Sequence, residues 1–267
     1  PFRKGHKTDA NDALAIVEAG LRPDMRFVPL KSGEQQDIQS LHRIRERYIH
    51  QRTQLINQVH GLLQEYGVIS GRGQKALKQR VWLALEDADN ELSMLMRDLI
   101  AEQMAELDRL NERIQSLDKR VEQMSRVVMP CRQLLAIEGV GPVVATQLYS
   151  ALGNGNAFKK GRQASAYLGL TPTQHSSGGI AKIKGIGRTG QISLKAALIR
   201  GAHSAINTVG DKQDAKSRWL RALVARVGKN KAAVALANKT VRIAWAVLHS
   251  GQSYCREFND GSALMVS

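Results

Sequence analysis

Apolar residues recur along this chain in more than one rhythm, and the changes of rhythm divide it. Between about Glu34 and Tyr66, Leu41, Tyr48, Leu55 and Leu62 stand seven residues apart in an otherwise polar run. That spacing predicts a long helix with one apolar stripe. Gly67 ends it, and Gly71 and Gly73 punctuate a linker. A second long helix is predicted from roughly Asp89 to Val127. There Leu107, Leu110, Ile114, Leu117, Val121, Met124 and Val128 alternate in steps of three and four, with Glu106, Arg109, Arg113, Lys119, Arg120 and Glu122 around the seam. Such helices can close on each other as an antiparallel hairpin or pair with a second subunit. A plain helical bundle carries the same pattern.

Shorter elements flank this region. Thr8 suits the cap of a helix from about Asp9 to Ala19, stopped by Gly20 and Pro23, and Met25 to Leu30 reads as an extended connector. After Pro130 the chain becomes Gly-rich. Ile137-Glu138-Gly139-Val140-Gly141 followed by Leu148 matches Ile183-Lys184-Gly185-Ile186-Gly187 followed by Leu194 in internal spacing. Both read as helix-hairpin-helix elements, whose turn amides face a phosphate. Gly-x-Gly also marks plain tight turns before helices. From Asp211 to His249 two basic helices are predicted. Their stripes, Trp219, Leu220, Leu223, Val227 and then Val234, Ala237, Val241, Ala244, Trp245, Leu248, read as core. Lys212, Lys216, Arg218, Arg221, Arg226, Lys229, Lys231, Lys239 and Arg242 fall off the stripes, either on phosphate or on a solvated face.

Charge narrows the choice of partner. The 267 residues include 39 Lys and Arg against 24 Asp and Glu, a net charge of +15. That favours nucleic acid first and an acidic membrane surface second. No run reaches the ~18 consecutive apolar residues of a membrane helix, and no signal peptide is seen. Cys131 and Cys255 fit no metal spacing and read as ordinary thiols. The chain opens on Pro1 within a strongly featured segment, so a natural N-terminus further upstream is expected.

The charge is also unevenly placed. From Gly139 to Gly210 there is no Asp or Glu, but Lys159, Lys160, Arg162, Lys182, Lys184, Arg188, Lys195 and Arg200 are present. In their midst lies His175-Ser176-Ser177-Gly178-Gly179. The glycines let backbone pass close to a ligand and expose a hydroxyl, and the nearby cations suit a pentavalent phosphorus. The same string also suits a flexible loop. Asp9 and Asp12 share one helical face and could hold one Mg²⁺. Acids in a first turn also simply suit the helix dipole.

The ordered set is more specific than its parts. His6 to Ala13, the two-helix spacer, Leu135 to Pro142, Phe158 to Arg162, Tyr167 to Pro172 and Ser176 to Gly179 follow one another in the order of a known family. The chain resembles the DEDD insertion-sequence transposases, relatives of the Piv DNA invertases, some of which are guided by a bridge RNA. The resemblance implies a mainly α chain. It would hold a remnant of a RuvC-like α/β domain (1–31), a long antiparallel coiled-coil spacer (32–128) and a compact helical C-terminal domain with helix-hairpin-helix elements (129–267). It implies Ser177 as nucleophile, with Ser176 ranked second, and Asp9 and Asp12 as the last two of four acids binding Mg²⁺. The first Asp and the Glu of that family lie upstream of this chain. Implied partners are DNA, a guide RNA in some members, and further copies of the chain as a dimer or tetramer in the bacterial cytoplasm. Lys159, Lys160, Arg162, Lys182, Lys184, Arg188 and Lys195 are the expected nucleic-acid contacts. A non-catalytic DNA- or RNA-binding scaffold and a Holliday-junction-type metal nuclease are the competing classes.

Overall fold

The computed structural model describes residues 8–23, 25, 27, 30–71, 73–177, 180–187 and 189–254, with the backbone alone given for 174–177 and 180–184. Arg26, Val28 and Pro29 of the expected connector, Gly178 and Gly179 of the serine motif, Arg188 and Cys255 therefore lie outside the described residues. The chain divides into two compact units, residues 1–31 and 32–267.

In the first unit, helix α1 spans Asp9–Gly20. Thr8 is extended, and its hydroxyl accepts the Asn11 amide hydrogen at 3.3 Å, so the expected cap is present. Asp9 and Asp12 occupy the first turn, where the helix dipole favours negative charge.

The second unit begins with two long helices, α2 (Gly33–Glu65) and α4 (Met94–Val127). Ser32 and Gln35 close a reciprocal capping box at the start of α2. The two helices run antiparallel: Arg45 meets Asp118 at 2.5 Å, and seven residues later Arg52 meets Asn111 at 3.5 Å. Partner numbers on α4 fall as those on α2 rise. The α4 seam is close to the expected one, with Leu107, Leu110, Ile114, Leu117 and Val121 buried. The α2 seam is shifted by about one residue. Gln35, Ile38, His42, Val59 and Leu63 are buried together with Leu55 of the expected stripe, whereas Leu41, Tyr48 and Leu62 sit on its half-exposed flank.

Between them the expected linker is in fact a third helix, α3 (Gln74–Glu86), which buries Leu77, Val81 and Ala84. The second long helix consequently starts at Met94, not Asp89, with Ser93 as its cap. Arg97 organises the turn. Its guanidinium donates to the carbonyls of Ala84, Leu85, Asp87 and Leu92 and to the Asn90 side chain, satisfying the open C-terminal carbonyls of α3.

The remainder is a helical body. Its helices are α5 (Met129–Leu134), α6 (Pro142–Leu152), α7 (Gly161–Tyr167), α8 (Ile192–Asn207), α9 (Ala215–Val227) and α10 (Lys229–Ser250). Buried Leu148, Leu168, Leu194, Leu220, Leu236, Val241 and Ala244 belong to one apolar cluster around α10. A two-stranded antiparallel ribbon, β1 (Pro172–Ser177) and β2 (Ile180–Ile186), projects between α7 and α8 in sequence. This corrects the second helix-hairpin-helix expectation: Ile183 to Ile186 lie on a strand, not in a turn between helices. No described helix is long and apolar enough to cross a membrane.

Candidate nucleic-acid interface

The ribbon is the centre of the acid-free stretch, and its register sorts the candidate residues. His175 pairs with Lys182, Ser176 with Ala181 and Ser177 with Ile180. Directly opposed residues share a face, and a strand alternates faces with period two. Positions 175, 177, 180 and 182 therefore fall on one face and 174, 176, 181 and 183 on the other, whereas Lys184 lies where the pairing is irregular, between the Gln174↔Ile183 and Pro172↔Ile186 pairs. By register, the face that holds Ser177 also holds His175, Ile180 and Lys182.

The root of the ribbon is tightly held. Gly169 and Gly190 both have positive φ, +75° and +82°. A Cβ on Gly169 would lie 2.2 Å from the Thr189 carbonyl oxygen, and one on Gly190 would lie 2.6 Å from the Leu168 carbonyl carbon. Only glycine lets the two backbones approach so closely. Lys195, expected on nucleic acid, belongs here instead. It is only 7% exposed, and its ammonium donates to the carbonyls of Gly187 (2.6 Å) and Thr189 (3.0 Å). Buried charge survives only with partners, and these carbonyls satisfy it. Lys195 is thus withdrawn from the interface and becomes an anchor of the ribbon.

Lys159, Lys160 and Arg162 are exposed around the start of α7. Gly161 between them packs on α10, where a Cβ would come 3.1 Å from the Trp245 ring and 3.2 Å from Arg242 Cα. The first Gly-x-Gly segment does form a turn between helices. Gly139 has φ +87°, Gly141 caps α6 and Pro142 takes its first turn. A shallow groove opens there, lined by Glu138, Gly139, Gly141, Gly201, Ser204 and Thr208. Glu138 at its lip pairs with Lys216 at 2.9 Å, so this turn, unlike the ribbon, carries a carboxylate.

Polar contacts tie α2 to this body. Thr146 donates its hydroxyl hydrogen to the Pro142 carbonyl at 2.7 Å, which leaves His42 Nε2–H as donor to Thr146 Oγ1 at 2.8 Å. Burial, helped by Arg45, pushes the His42 imidazole down to about 4. Ser193 at the start of α8 donates to Glu46 and accepts from Gln147 at 3.2 Å. Ser150 donates to the Gln35 carbonyl, and Gln35 to that of Tyr149. Apolar periodicity cannot reveal these contacts. Buried Cys131, its thiol pushed up to about 12 by burial, is inert.

Sequence comparison bears on all of this. A model described as "Transposase IS116/IS110/IS902 family" matches residues 131–219, and a DEDD transposase model of the IS110 type matches residues 2–68. A probable family 20 transposase of Pseudomonas aeruginosa is 42% identical over 255 residues, 95% of this chain and 75% of the relative. This chain belongs to the IS116/IS110/IS902 transposase family. The transposase for insertion sequence element IS1111A of Coxiella burnetii is 40% identical over 254 residues, 95% of this chain and 70% of its own length. That for IS1328 of Yersinia enterocolitica is 31% identical over 256 residues, 96% and 76% respectively.

Within this transposase, the DEDD match covers α1 with Asp9 and Asp12, and the second match covers the ribbon with Ser177. The family implies a divalent metal. Asp9 and Asp12 are exposed and supply hard oxygen donors one helical turn apart. Mg²⁺ is commonly held by one or two carboxylates, completed by water and phosphate oxygens, so the pair fits in kind. Among the described residues no third His, Cys, Asp or Glu joins it.

Proposed function

We propose that this insertion-sequence transposase cuts and rejoins DNA through the Ser177 hydroxyl. The observation that carries the proposal is the ribbon register, which puts positions 175, 177 and 182 on one face in the middle of a carboxylate-free stretch. Ser177 Oγ attacks the phosphorus of a phosphodiester, His175 takes the hydroxyl proton, and a Ser–O–P ester forms. The 3′ oxygen departs and takes up a proton. Lys182 and Lys184 balance the charge that builds on the phosphorus oxygens. The exposed 3′-hydroxyl of a second strand then attacks the ester, releasing Ser177 and sealing the exchanged strands.

Asp9 and Asp12 are the residues that would hold a divalent ion, Mg²⁺ in this reading. Such an ion would place positive charge beside the scissile phosphate. Lys159, Lys160 and Arg162 hold the DNA backbone on the exposed start of α7. Residues 1–31 close the acidic domain, 32–128 form a coiled-coil spacer, and 129–267 carry the serine. Two strands exchange only if two serines act together, so the working form is a dimer or tetramer, with a guide RNA where the element encodes one.

The test is a denaturing gel of protein incubated with labelled insertion-sequence ends and Mg²⁺. A covalent protein–DNA band is expected, absent in Ser177→Ala, retained in Ser176→Ala, and reduced about 10²- to 10⁴-fold in rate in His175→Ala. Cutting that survives Ser177→Ala but not Asp12→Ala would replace the serine mechanism with a metal nuclease.

A further inference from the structure

Helix α9 presents a tryptophan where the sequence pattern expected core. Trp219 is 36% exposed, while its neighbours Leu220 and Leu223 are buried. The Lys239 ammonium of α10 sits 4.7 Å from the indole centroid. Arg242 lies one turn further along α10 and is exposed, and Lys216 lies one turn before Trp219 on α9. Lys216 has Glu138 as a partner. Among the described residues no carboxylate lies within ion-pair distance of Lys239 or Arg242. Lys239 is held below the usual lysine range by desolvation first, then by repulsion from Lys216 and Arg242. Lys239 and Arg242 are therefore crowded together without a carboxylate of their own.

The patch continues into the basic start of α7. The backbone of Arg242 lies against Gly161, the residue between exposed Lys160 and Arg162. A half-open indole beside two cations that lack a carboxylate partner matches the two needs of an unpaired nucleotide. Its base offers a π-face to stack, and its phosphate offers a charge to neutralise. A continuous duplex offers only the second, because its bases are already stacked on each other. We propose that Trp219, Lys239 and Arg242 form a platform for an unpaired nucleotide, the base against the indole and the phosphate on Arg242, with the strand running toward Lys160 and Arg162. The proposal rests on the nucleic-acid-binding reading above and adds to it a set of residues on α9 and α10, none of them on the serine ribbon.

The experiment uses the full chain and fluorescence anisotropy with three short labelled probes: single-stranded DNA, single-stranded RNA and blunt duplex DNA. Trp219→Ala is expected to weaken single-strand binding about tenfold and to leave duplex binding within about twofold. Trp219→Phe keeps most of the single-strand affinity, and the two single-stranded probes report which sugar the platform prefers. As a second readout, single strands quench tryptophan emission in the wild type, and that quenching shrinks in Trp219→Phe even if the alanine variant fails to fold. Single-strand affinity unchanged in Trp219→Ala, or an equal loss on duplex and single strand, overturns the platform while leaving nucleic-acid binding intact. A wild type that binds none of the three probes overturns the nucleic-acid reading itself, and the platform with it.

Discussion

The two Gly-x-Gly segments of this transposase share spacing and composition but not structure. Ile137 to Gly141 turns between α5 and α6, whereas Ile183 to Ile186 lies on β2, paired irregularly with Pro172 to Gln174. Their neighbours decide the outcome. Pro142 cannot donate a backbone hydrogen bond and sits at the first helical positions, where none is needed, so the chain after Gly141 is prepared for a helix. Ala181-Lys182-Ile183-Lys184 alternates with the period of a strand and finds a partner in Gln174 to Ser177. A glycine pair thus permits a turn without specifying one. Function divides the same way. The helical turn carries Glu138 and pairs internally with Lys216, and the strand puts position 182 on the face of Ser177.

The strongest way to break the comparison is at the root of the ribbon. Gly190→Val places a side chain against the Leu168–Gly169 backbone and forces a β-branched residue to a φ near +82°. The two effects together should cost more than ~3 kcal/mol. We expect loss of the covalent DNA adduct and a lowered melting temperature. Lys195→Met, which leaves two carbonyls without their ammonium, should weaken the same anchor by ~1–3 kcal/mol. An adduct formed at the wild-type rate by Gly190→Val would show that the ribbon need not be held.

The next effect follows pH and probes the side of the body that meets α2. His42 has a folded value of about 4 against an unfolded 6.5, so between these pH values the unfolded chain binds more protons. The stabilisation from neutral, hydrogen-bonded His42 is complete above pH 6.5, declines as pH falls, and is exhausted below about pH 4. The full amplitude is about 3 kcal/mol, since each pH unit between the two values is worth about 1.4. Urea melts of wild type and His42→Gln between pH 4 and pH 7.5 measure it. The variant should lose this component of the slope, and parallel curves would mean that the imidazole is not buried neutral.

How much of this was legible depends on how local its cause is. The long helices α2 and α4 and the capped α1 are local patterns, and the sequence reading located all three. The α2 seam was misplaced because Gln35, His42, Arg45 and Arg52 lie along it, and an apolar repeat does not register polar seam residues. Helix α3 was hidden by Gly71 and Gly73, although Leu77, Val81 and Ala84 already show the helical period. The ribbon depends on pairing across a turn, and its second strand looked like a repeat of the first hairpin. Lys195 and Trp219 were misplaced for opposite reasons: a cation can be satisfied by carbonyls, and an aromatic on an apolar stripe can lie at its edge. Ser177 and the Asp9/Asp12 pair came from ordered motifs, which periodicity alone does not rank.

A smaller effect is expected where the first Gly-x-Gly turn meets α8. A Cβ on Gly201 would stand 2.7 Å from the Gly139 carbonyl oxygen, a backbone atom that cannot swing aside. Gly201→Ala should therefore cost ~1–3 kcal/mol in a chemical melt by pushing the turn from its helix. Unchanged stability would mean that the turn and α8 separate freely.

The smallest effect sharpens the comparison most directly, because it makes the same substitution in both segments. Gly139 has φ +87°, a conformation that costs an L-residue roughly 1–2 kcal/mol, and an added Cβ would also touch Gly201 and Ala205. Gly185 lacks positive φ, and a Cβ there would meet nothing within 4 Å. Alanine at 185 also restricts the unfolded chain, which favours the folded state by up to about 0.4–1 kcal/mol where the conformation is compatible. Gly139→Ala should lower the melting midpoint and Gly185→Ala should hold or raise it. Equal losses at both would mean that the second segment turns as the first does, and the register that pairs His175 with Lys182 on the Ser177 face would be wrong.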